Sequence, residues 1–302
     1  MAPRTVLITG CSSGIGLALA VRLARDKQRR FRVIATVRNM SRSGALVEAA
    51  GSALGRTLEV KQLDVCDEAS IRSCLDSIPG RRVDVLVSNA GVGMIGPLEC
   101  QSLAAMQGLM DTNFFGLVRL VKEVLPDMKR RRSGHIVVIS SVMGLQGIVF
   151  NDVYAASKFA VEGFCESLVV IPPCSISLVE PGPVTTEFEA KVYEEAERAD
   201  YSQTDPETAA IFTDLYLRNS RDVFASLGQS PEDIAEVMVE LQGGMGGYRR
   251  DQLALMRSSN WVALASPVLT PSSCSPKPPK WDGNGDRDGD GDGMGWDGMG
   301  MW

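Results

Sequence analysis

Along the first 180 residues, short apolar runs alternate with longer stretches whose apolar positions recur every three or four residues. Arg4–Thr9 (RTVLIT), Arg32–Val37 (RVIATV), Leu58–Leu63 (LEVKQL), Val83–Ser88 (VDVLVS), His135–Ser140 (HIVVIS) and Ser175–Glu180 (SISLVE) are nearly continuous in apolar character. That is the pattern of strands covered on both faces. Ile15–Arg25, Ala104–Lys129 and Val153–Val170 carry the helical period instead. Strand and helix in succession predict an α/β fold, a doubly wound parallel sheet of the Rossmann type. Ligands of such sheets bind at the carboxyl ends of the strands, where the winding reverses.

The pattern changes twice. Residues 184–240 read as helices and loops with exposed aromatics, a helical lid that completes a single domain of residues 1–250. From about Gly243 onward no periodicity remains, and residues 251–302 are expected to be an irregular linker followed by a disordered tail. The Gly/Asp/Met/Trp repeats of 282–302 cannot bury enough apolar surface to offset the entropy of ordering.

Charge refines the picture. The chain carries a net charge of −6, but residues 281–302 hold six Asp against Arg287 alone. The rest is close to neutral, which argues against a nucleic-acid partner. The basic run Lys129–Arg132 reads as a solvated helix end, where cations suit the dipole; contact with anionic headgroups at a membrane periphery is the second reading. No apolar run reaches the roughly 18–20 residues of a spanning helix, and the N-terminus leads directly into a strand. The expectation is a cytoplasmic protein without signal peptide or transmembrane helix. Seven scattered Cys with no CxxC pair fit reduced thiols, and a lone histidine, His135, leaves no His-based metal site or Ser-His-Asp triad. The calcium-like spacing from Asp286 to Asp297 lacks flanking helices and the bidentate Glu, so no metal is expected.

Chemistry concentrates at the strand ends. The first strand runs into Thr9, Gly10, Cys11, Ser12, Ser13, Gly14, Ile15 and Gly16, which open a helix. Glycines there let the backbone approach a pyrophosphate seated on the helix N-terminus. The second strand ends in Val37-Arg38, where NAD-preferring folds place an acid for the ribose. Arg38 can instead pair with a 2′-phosphate, which favours NADP(H). Ser140-Ser141 closes the fifth strand, and Tyr154 and Lys158 stand four apart on one helical face. An ammonium beside a phenol lowers the cost of forming the phenolate, so this pair predicts proton transfer through Tyr154.

Gly10–Gly16, Asn89-Ala90-Gly91, Asn113, Ser141, Tyr154 with Lys158, and Pro181-Gly182 resemble the short-chain dehydrogenase/reductase family in order and spacing, over roughly residues 4–240. Phe150–Tyr154, Leu125–Arg131 and Val179–Pro183 resemble its branch of retinol and 17β-hydroxysteroid dehydrogenases. The resemblance implies that Ser141 bonds the substrate oxygen, and that Asn113 holds a water linking Lys158 to solvent. It implies that Asp64, Val65, Asn89, Ala90 and Gly91 line the adenine and ribose side, that Ser12 and Arg38 contact the phosphates, and that Pro181, Gly182 and Val184 meet the nicotinamide. The implied activity is NADPH-dependent reduction of all-trans-retinal, with 17β-hydroxysteroid interconversion as the alternative and an inactive cofactor-binding product of an altered transcript as a third. Met143, Val149, Phe150, Phe188, Val192 and Phe212 are the candidates to line an apolar pocket for a retinoid or steroid. The family also implies a homodimer through the helices of Ala104–Lys129 and Val153–Val170. Two departures stand out: Pro172-Pro173 must stop the second of these helices about three residues early, and the C-terminal segment matches nothing in relatives.

Overall fold

The computed structural model describes residues 2–168, 174–241 and 248–251. Strands β1 (Arg4–Ile8), β2 (Phe31–Val37), β3 (Leu58–Gln62), β4 (Val85–Ser88), β5 (Gly134–Ile139), β6 (Cys174–Val179) and β7 (Tyr248–Asp251) form one sheet in the order β3-β2-β1-β4-β5-β6-β7. Every pairing is parallel. The winding reverses between β1 and β4, which opens a crevice at their carboxyl ends. The helices are α1 (Gly14–Ala24), α2 (Gly44–Ala50), α3 (Glu68–Asp76), α4 (Leu103–Met110), α5 (Gly116–Arg131), α6 (Asp152–Leu168), α7 (Glu187–Arg198), α8 (Pro206–Ala210), α9 (Arg218–Leu227) and α10 (Pro231–Leu241).

The continuous apolar runs arise because alternate strand residues feed two separate cores. Val6, Ile8, Val33, Val85, Val87 and Val137 pack with Leu19 and Leu23 of α1 and with Ile234 and Met238 of α10. Leu7, Ile34, Leu86, Ile136 and Leu178 pack on the other face with α3, α5 and α6, through Ile71, Leu120, Val124 and Val161. With no polar face to present, the strands cannot alternate in the sequence.

Three elements depart from the sequence expectation. The helical stretch from Ala104 is broken by a π-helical turn over Asp111–Phe115, which separates α4 from α5. Helix α10 falls inside the expected lid, yet its Ile234, Ala235 and Met238 are buried in the main core, and Glu236 bridges to Arg22 of α1. The lid therefore ends before Pro231. Strand β7 lies beyond the point where periodicity stops; it pairs by backbone with β6 at the sheet edge and needs no alternating pattern to do so. Pro172-Pro173 and the 252–302 tail lie outside the described residues.

The basic run caps α5 as its helix-end reading required. Arg130 and Arg131 both pair with Asp127, and Arg131 also reaches Asp84 at 3.3 Å and the Val83 carbonyl at 2.8 Å. Half of the run is thus engaged internally. Among the described residues no helix is long and apolar enough to cross a membrane.

The turn after β1 tolerates no enlargement. A Cβ on Gly16 would lie 2.4 Å from the Gly10 carbonyl oxygen and 2.5 Å from the Asn89 amide nitrogen. Gly16→Ala is expected to cost on the order of 1–3 kcal/mol as overpacking does, read as a lower Tm. An unchanged Tm would show that the turn relaxes freely.

Candidate active site

The Gly-rich turn is held from across the crevice. The Thr9 hydroxyl accepts the Asn89 and Ala90 amides, both at 3.1 Å, while the Asn89 side chain donates to the Thr9 and Gly10 carbonyls at 2.9 and 3.1 Å. These bonds tie the ends of β1 and β4 together. Gly10 has φ +71°, and a Cβ there would meet the Ala90 backbone at 2.9 Å. Ser13 flanks the first turn of α1 in an extended conformation and makes no side-chain cap. The amides of that turn are therefore left for another acceptor, which is the provision a bound phosphate needs. Gly14 and Ile15 complete the turn, and Ser12 lies half-buried beside them. The residues thus fit a dinucleotide.

Arg38 follows β2 on the surface, with its carbonyl bonded by Gln62 at 3.3 Å. Among the described residues no carboxylate pairs with its guanidinium. The loop of Asp64 and Val65 follows β3. Asp64 accepts the Cys66 amide at 2.9 Å, and Val65 packs so tightly on α5 that a Cβ on Gly116 would come within 2.8 Å of it. Arg119 secures this contact by reaching Asp111 at 2.6 Å and the Val65 carbonyl at 3.4 Å.

The π-turn places Asn113. Its side-chain oxygen accepts the Val92 amide at 2.9 Å, and its nitrogen donates to the Val92 carbonyl at 2.9 Å and the Ser157 hydroxyl at 3.1 Å. Both amide protons are spent on the protein. The side chain is a brace between the loop following Asn89-Ala90-Gly91 and α6.

Tyr154, Ser141 and Lys158 converge as the spacing predicts. Ser141, at the end of β5, receives the Met143 amide at 3.1 Å and hydrogen-bonds the Tyr154 phenol. Lys158 is buried and donates to the Ile139 carbonyl at 3.0 Å, its nitrogen 5.6 Å from the centre of the Tyr154 ring. The expected depression of the phenol by the ammonium is not what results. Burial pushes Tyr154 up to about 12, against the Ser141 hydrogen bond, and pushes Lys158 down to about 8. For both groups desolvation is the largest cause. At neutral pH this leaves a protonated phenol beside a charged ammonium, an arrangement able to hand a proton to a carbonyl oxygen.

Phe188 of α7 faces that phenol, with ring centres 6.3 Å apart. Phe188 and Val192 also press on the loop after β4, where a Cβ on Gly93 would meet them at 3.0 and 2.6 Å. Met143 is half-buried and Val149 exposed. Phe212 does not line a pocket: it is fully buried, stacked on Tyr216 and set edge-on to Phe150 and Tyr201. Phe150 belongs to the same aromatic cluster, at a left-handed φ of +63°. Val184 is likewise packed in the main core. Pro181 is buried and accepts the Val142 amide at 3.1 Å, with Gly182 half-buried beside it.

Two residues escaped the sequence reading. Gly93 makes room for the lid, and Thr186 stands 3.2 Å from where a Gly14 Cβ would sit. Thr186 and Glu189 have the spacing of a capping box, the one signal available, yet Thr186 makes no cap bond. Glu189 is half-buried instead, its carboxyl pushed up to about 7 by burial.

Residues 4–197 match the family model described as short chain dehydrogenase. Retinol dehydrogenase 8 of Bos taurus is 63% identical over 245 residues, covering 80% of this chain and 78% of that protein. The Homo sapiens 17-beta-hydroxysteroid dehydrogenase type 1 is 48% identical over 244 residues, covering 79% and 74%. Among solved structures, an actinorhodin polyketide ketoreductase with NADPH superposes with a TM-score of 0.67 at 28% identity, over 82% of this chain and 95% of that one.

The ionisation of the pair sets a pH dependence. Lys158 is charged below about 8 and neutral above it, and kcat/KM reports groups of the free enzyme. In carbonyl reduction kcat/KM is expected to fall as pH rises through about 8, while Tyr154, near 12, adds nothing to that limb. Tyr154→Phe should remove on the order of 100-fold or more of the rate. A flat profile between about pH 6 and 10 would take the Lys158 charge out of the chemistry.

Proposed function

The chain belongs to the short-chain dehydrogenase family, and on that premise we propose that it reduces all-trans-retinal to all-trans-retinol with NADPH. The observation that carries this reading is the convergence on Tyr154 of the Ser141 hydrogen bond, the Lys158 ammonium 5.6 Å from its ring centre and the Phe188 ring at 6.3 Å. An apolar aldehyde suits such a site: its oxygen reaches the phenol and Ser141, and the lid shields its chain from water. The similarity to retinol dehydrogenase 8 supports the retinoid, and that to 17-beta-hydroxysteroid dehydrogenase type 1 makes a steroid ketone the second reading.

The turn Thr9–Gly16 and the N-terminus of α1 would hold the pyrophosphate, Arg38 the 2′-phosphate, Asp64, Val65 and Asn89-Ala90-Gly91 the adenosine side, and Pro181-Gly182 the nicotinamide. When bound, the reduced nicotinamide supplies the hydride. Tyr154 delivers the proton to the substrate oxygen as charge develops there, Ser141 donates a hydrogen bond to the same oxygen, and Lys158 keeps a positive charge beneath the phenol.

Turnover with all-trans-retinal and with estrone, each with NADPH and NADH, tests the reading. Retinal with NADPH is expected to give the highest kcat/KM. Estrone reduction alone would transfer the assignment to steroids, and no turnover with either would leave a cofactor-binding protein. Arg38→Ala should weaken NADPH roughly tenfold or more, as loss of a charge-assisted pair does, and leave NADH nearly unchanged. Equal effects on both would show that Arg38 does not read the phosphate.

The proposal extends to a homodimer through α4, the π-turn and α6. Leu103 is 74% exposed, Phe115 48% and Phe159 47%, and Met106 and Met110 lie beside the first two. Leu109, Leu117, Val121 and Val124 of the same stretch are core, so the exposed patch is narrower than the sequence suggests. An isologous contact would cover this patch on both copies. Sedimentation should give a dimer at micromolar concentration; a monomer with cofactor bound overturns the assembly.

A further inference from the structure

We propose that Tyr216 is a positioning residue of this site: through Asn151 it fixes the first turn of α6, and with it the place of Tyr154. The inference rests on the reading of Tyr154 as the proton donor and not on the choice between retinoid and steroid.

Asn151 directly precedes α6 and stands three positions before Tyr154. It is 3% exposed, and a buried carboxamide must spend its polar atoms on partners. Its side-chain nitrogen donates to the Val149 carbonyl at 2.9 Å and to the Tyr216 phenol oxygen at 2.6 Å. The backbone of Asn151 is engaged as well. Its amide donates to the Ile148 carbonyl at 3.1 Å, and its carbonyl accepts the Ala155 amide at 2.8 Å, within the first turn of α6. Tyr216 is distant in sequence, in a π-helical turn over Ile211–Leu217 between α8 and α9.

Packing delivers the phenol to Asn151. The Tyr216 ring stacks on the fully buried Phe212, with centres 5.6 Å apart, and meets Phe150 edge-on at 5.2 Å. Phe150 is itself set against Phe212 at 4.9 Å, and its carbonyl accepts the Gly96 amide at 2.9 Å. The oxygen is therefore carried by a ring clamped on two sides. Further along α6, Lys158 bonds the Ile139 carbonyl and Ser157 bonds Asn113. Those bonds lie on the far side of Tyr154 and alone would let the helix pivot about them. The bond from Asn151 to Tyr216 is a second anchor, on the near side. Two anchors define where the phenol stands relative to Ser141, and the second belongs to the aromatic core of the lid.

Tyr216→Phe keeps the ring and removes the oxygen. Tyr216 also hydrogen-bonds Ser220, so Asn151→Ala reads the same bond from its other end, and the double variant completes a cycle. Hydrogen exchange followed by mass spectrometry on the full chain compares residues 148–158 with α1, which reports global opening. Tyr216→Phe should speed exchange in the first turn of α6 on the order of tenfold, as loss of a buried hydrogen bond does, and leave α1 unchanged. With retinal or estrone, whichever is turned over, kcat should fall on the order of tenfold through misplacement of the donor, with KM for NADPH little changed. The two substitutions together should cost little more than either alone. Unchanged exchange in Tyr216→Phe, equal acceleration in α6 and α1, or an unchanged kcat overturns the proposal. Should that variant not fold, the same outcomes in Asn151→Ala overturn it equally. The exchange measurement requires no substrate, so absence of turnover would count against the proposed activity while leaving the anchor to stand or fall by itself.

Discussion

The bond from Lys158 to the Ile139 carbonyl, at 3.0 Å, is the contact on which the site depends. Removing an ammonium from water is costly unless it is hydrogen-bonded and offset by charge. Here the last carbonyl of β5 is aimed at α6 and meets that requirement from the sheet. The bond fixes where α6 can lie along the strand end, and with it where Tyr154 stands relative to Ser141. Helical geometry from Tyr154 to Lys158 then keeps the phenol on the same face as the lysine. Asn113 fixes the same helix sideways, since one amide group joins Ser157 of α6 to both backbone groups of Val92.

A parallel sheet converts this local arrangement into a cleft. Because all strands end on one side, the loops after β1, β4, β5 and β6 are neighbours without any of them being long. Their mutual bonds are made before a ligand arrives: Thr9 and Asn89 lock the first two, and Pro181 receives the Val142 amide between the last two. Such preorganisation lowers the ordering cost of binding. Two of the departures from ideal helix and turn geometry fall at this end as well. The π-turn carries Asn113, and the left-handed Phe150 precedes α6, held by the bond from the Gly96 amide to its carbonyl. A bulky residue at positive φ is disfavoured by sterics. The aromatic packing of Phe150 on Phe212 and Tyr216 supplies the contacts that hold it there.

The five inner strands were legible because burial on both faces leaves a nearly continuous apolar run, a signal that needs no knowledge of the partners. The edge strand β3 was found despite its partly covered Glu59 and Lys61 and exposed Gln62. The seventh was not, since an edge strand such as Tyr248–Asp251 is recruited through its backbone. The π-turn was invisible for a related reason: Asp111–Phe115 has ordinary helical periodicity, and the extra residue shows only in which carbonyl each amide meets. The Gly-rich turn and the Tyr-Lys spacing were readable as geometry. The lid was not: an aromatic such as Phe212 has the same composition signal whether it lines a cleft or fills the core of the lid. Phe188 and Phe212 differ only in what packs on them, 40% exposed against 0%.

The sign of the Tyr154 shift is a matter of competing magnitudes that spacing alone cannot rank. Helical spacing puts the ammonium and the phenol on one face, but how far each is withdrawn from water depends on the roof contributed by α7 and the floor contributed by β5. With both in place, desolvation dominates and separates the two values, about 12 for the phenol and about 8 for the ammonium. A free-enzyme phenol that holds its proton is an acid waiting for an oxyanion, so the resting ionisation suits reduction of a carbonyl. Oxidation of an alcohol would need the phenolate, and so an added positive charge near the ring before the reaction could begin. An oxidised nicotinamide carries such a charge and a reduced one does not. On the proposed reading the same residues would serve both directions, with the charge of a bound nicotinamide shifting the Tyr154 proton.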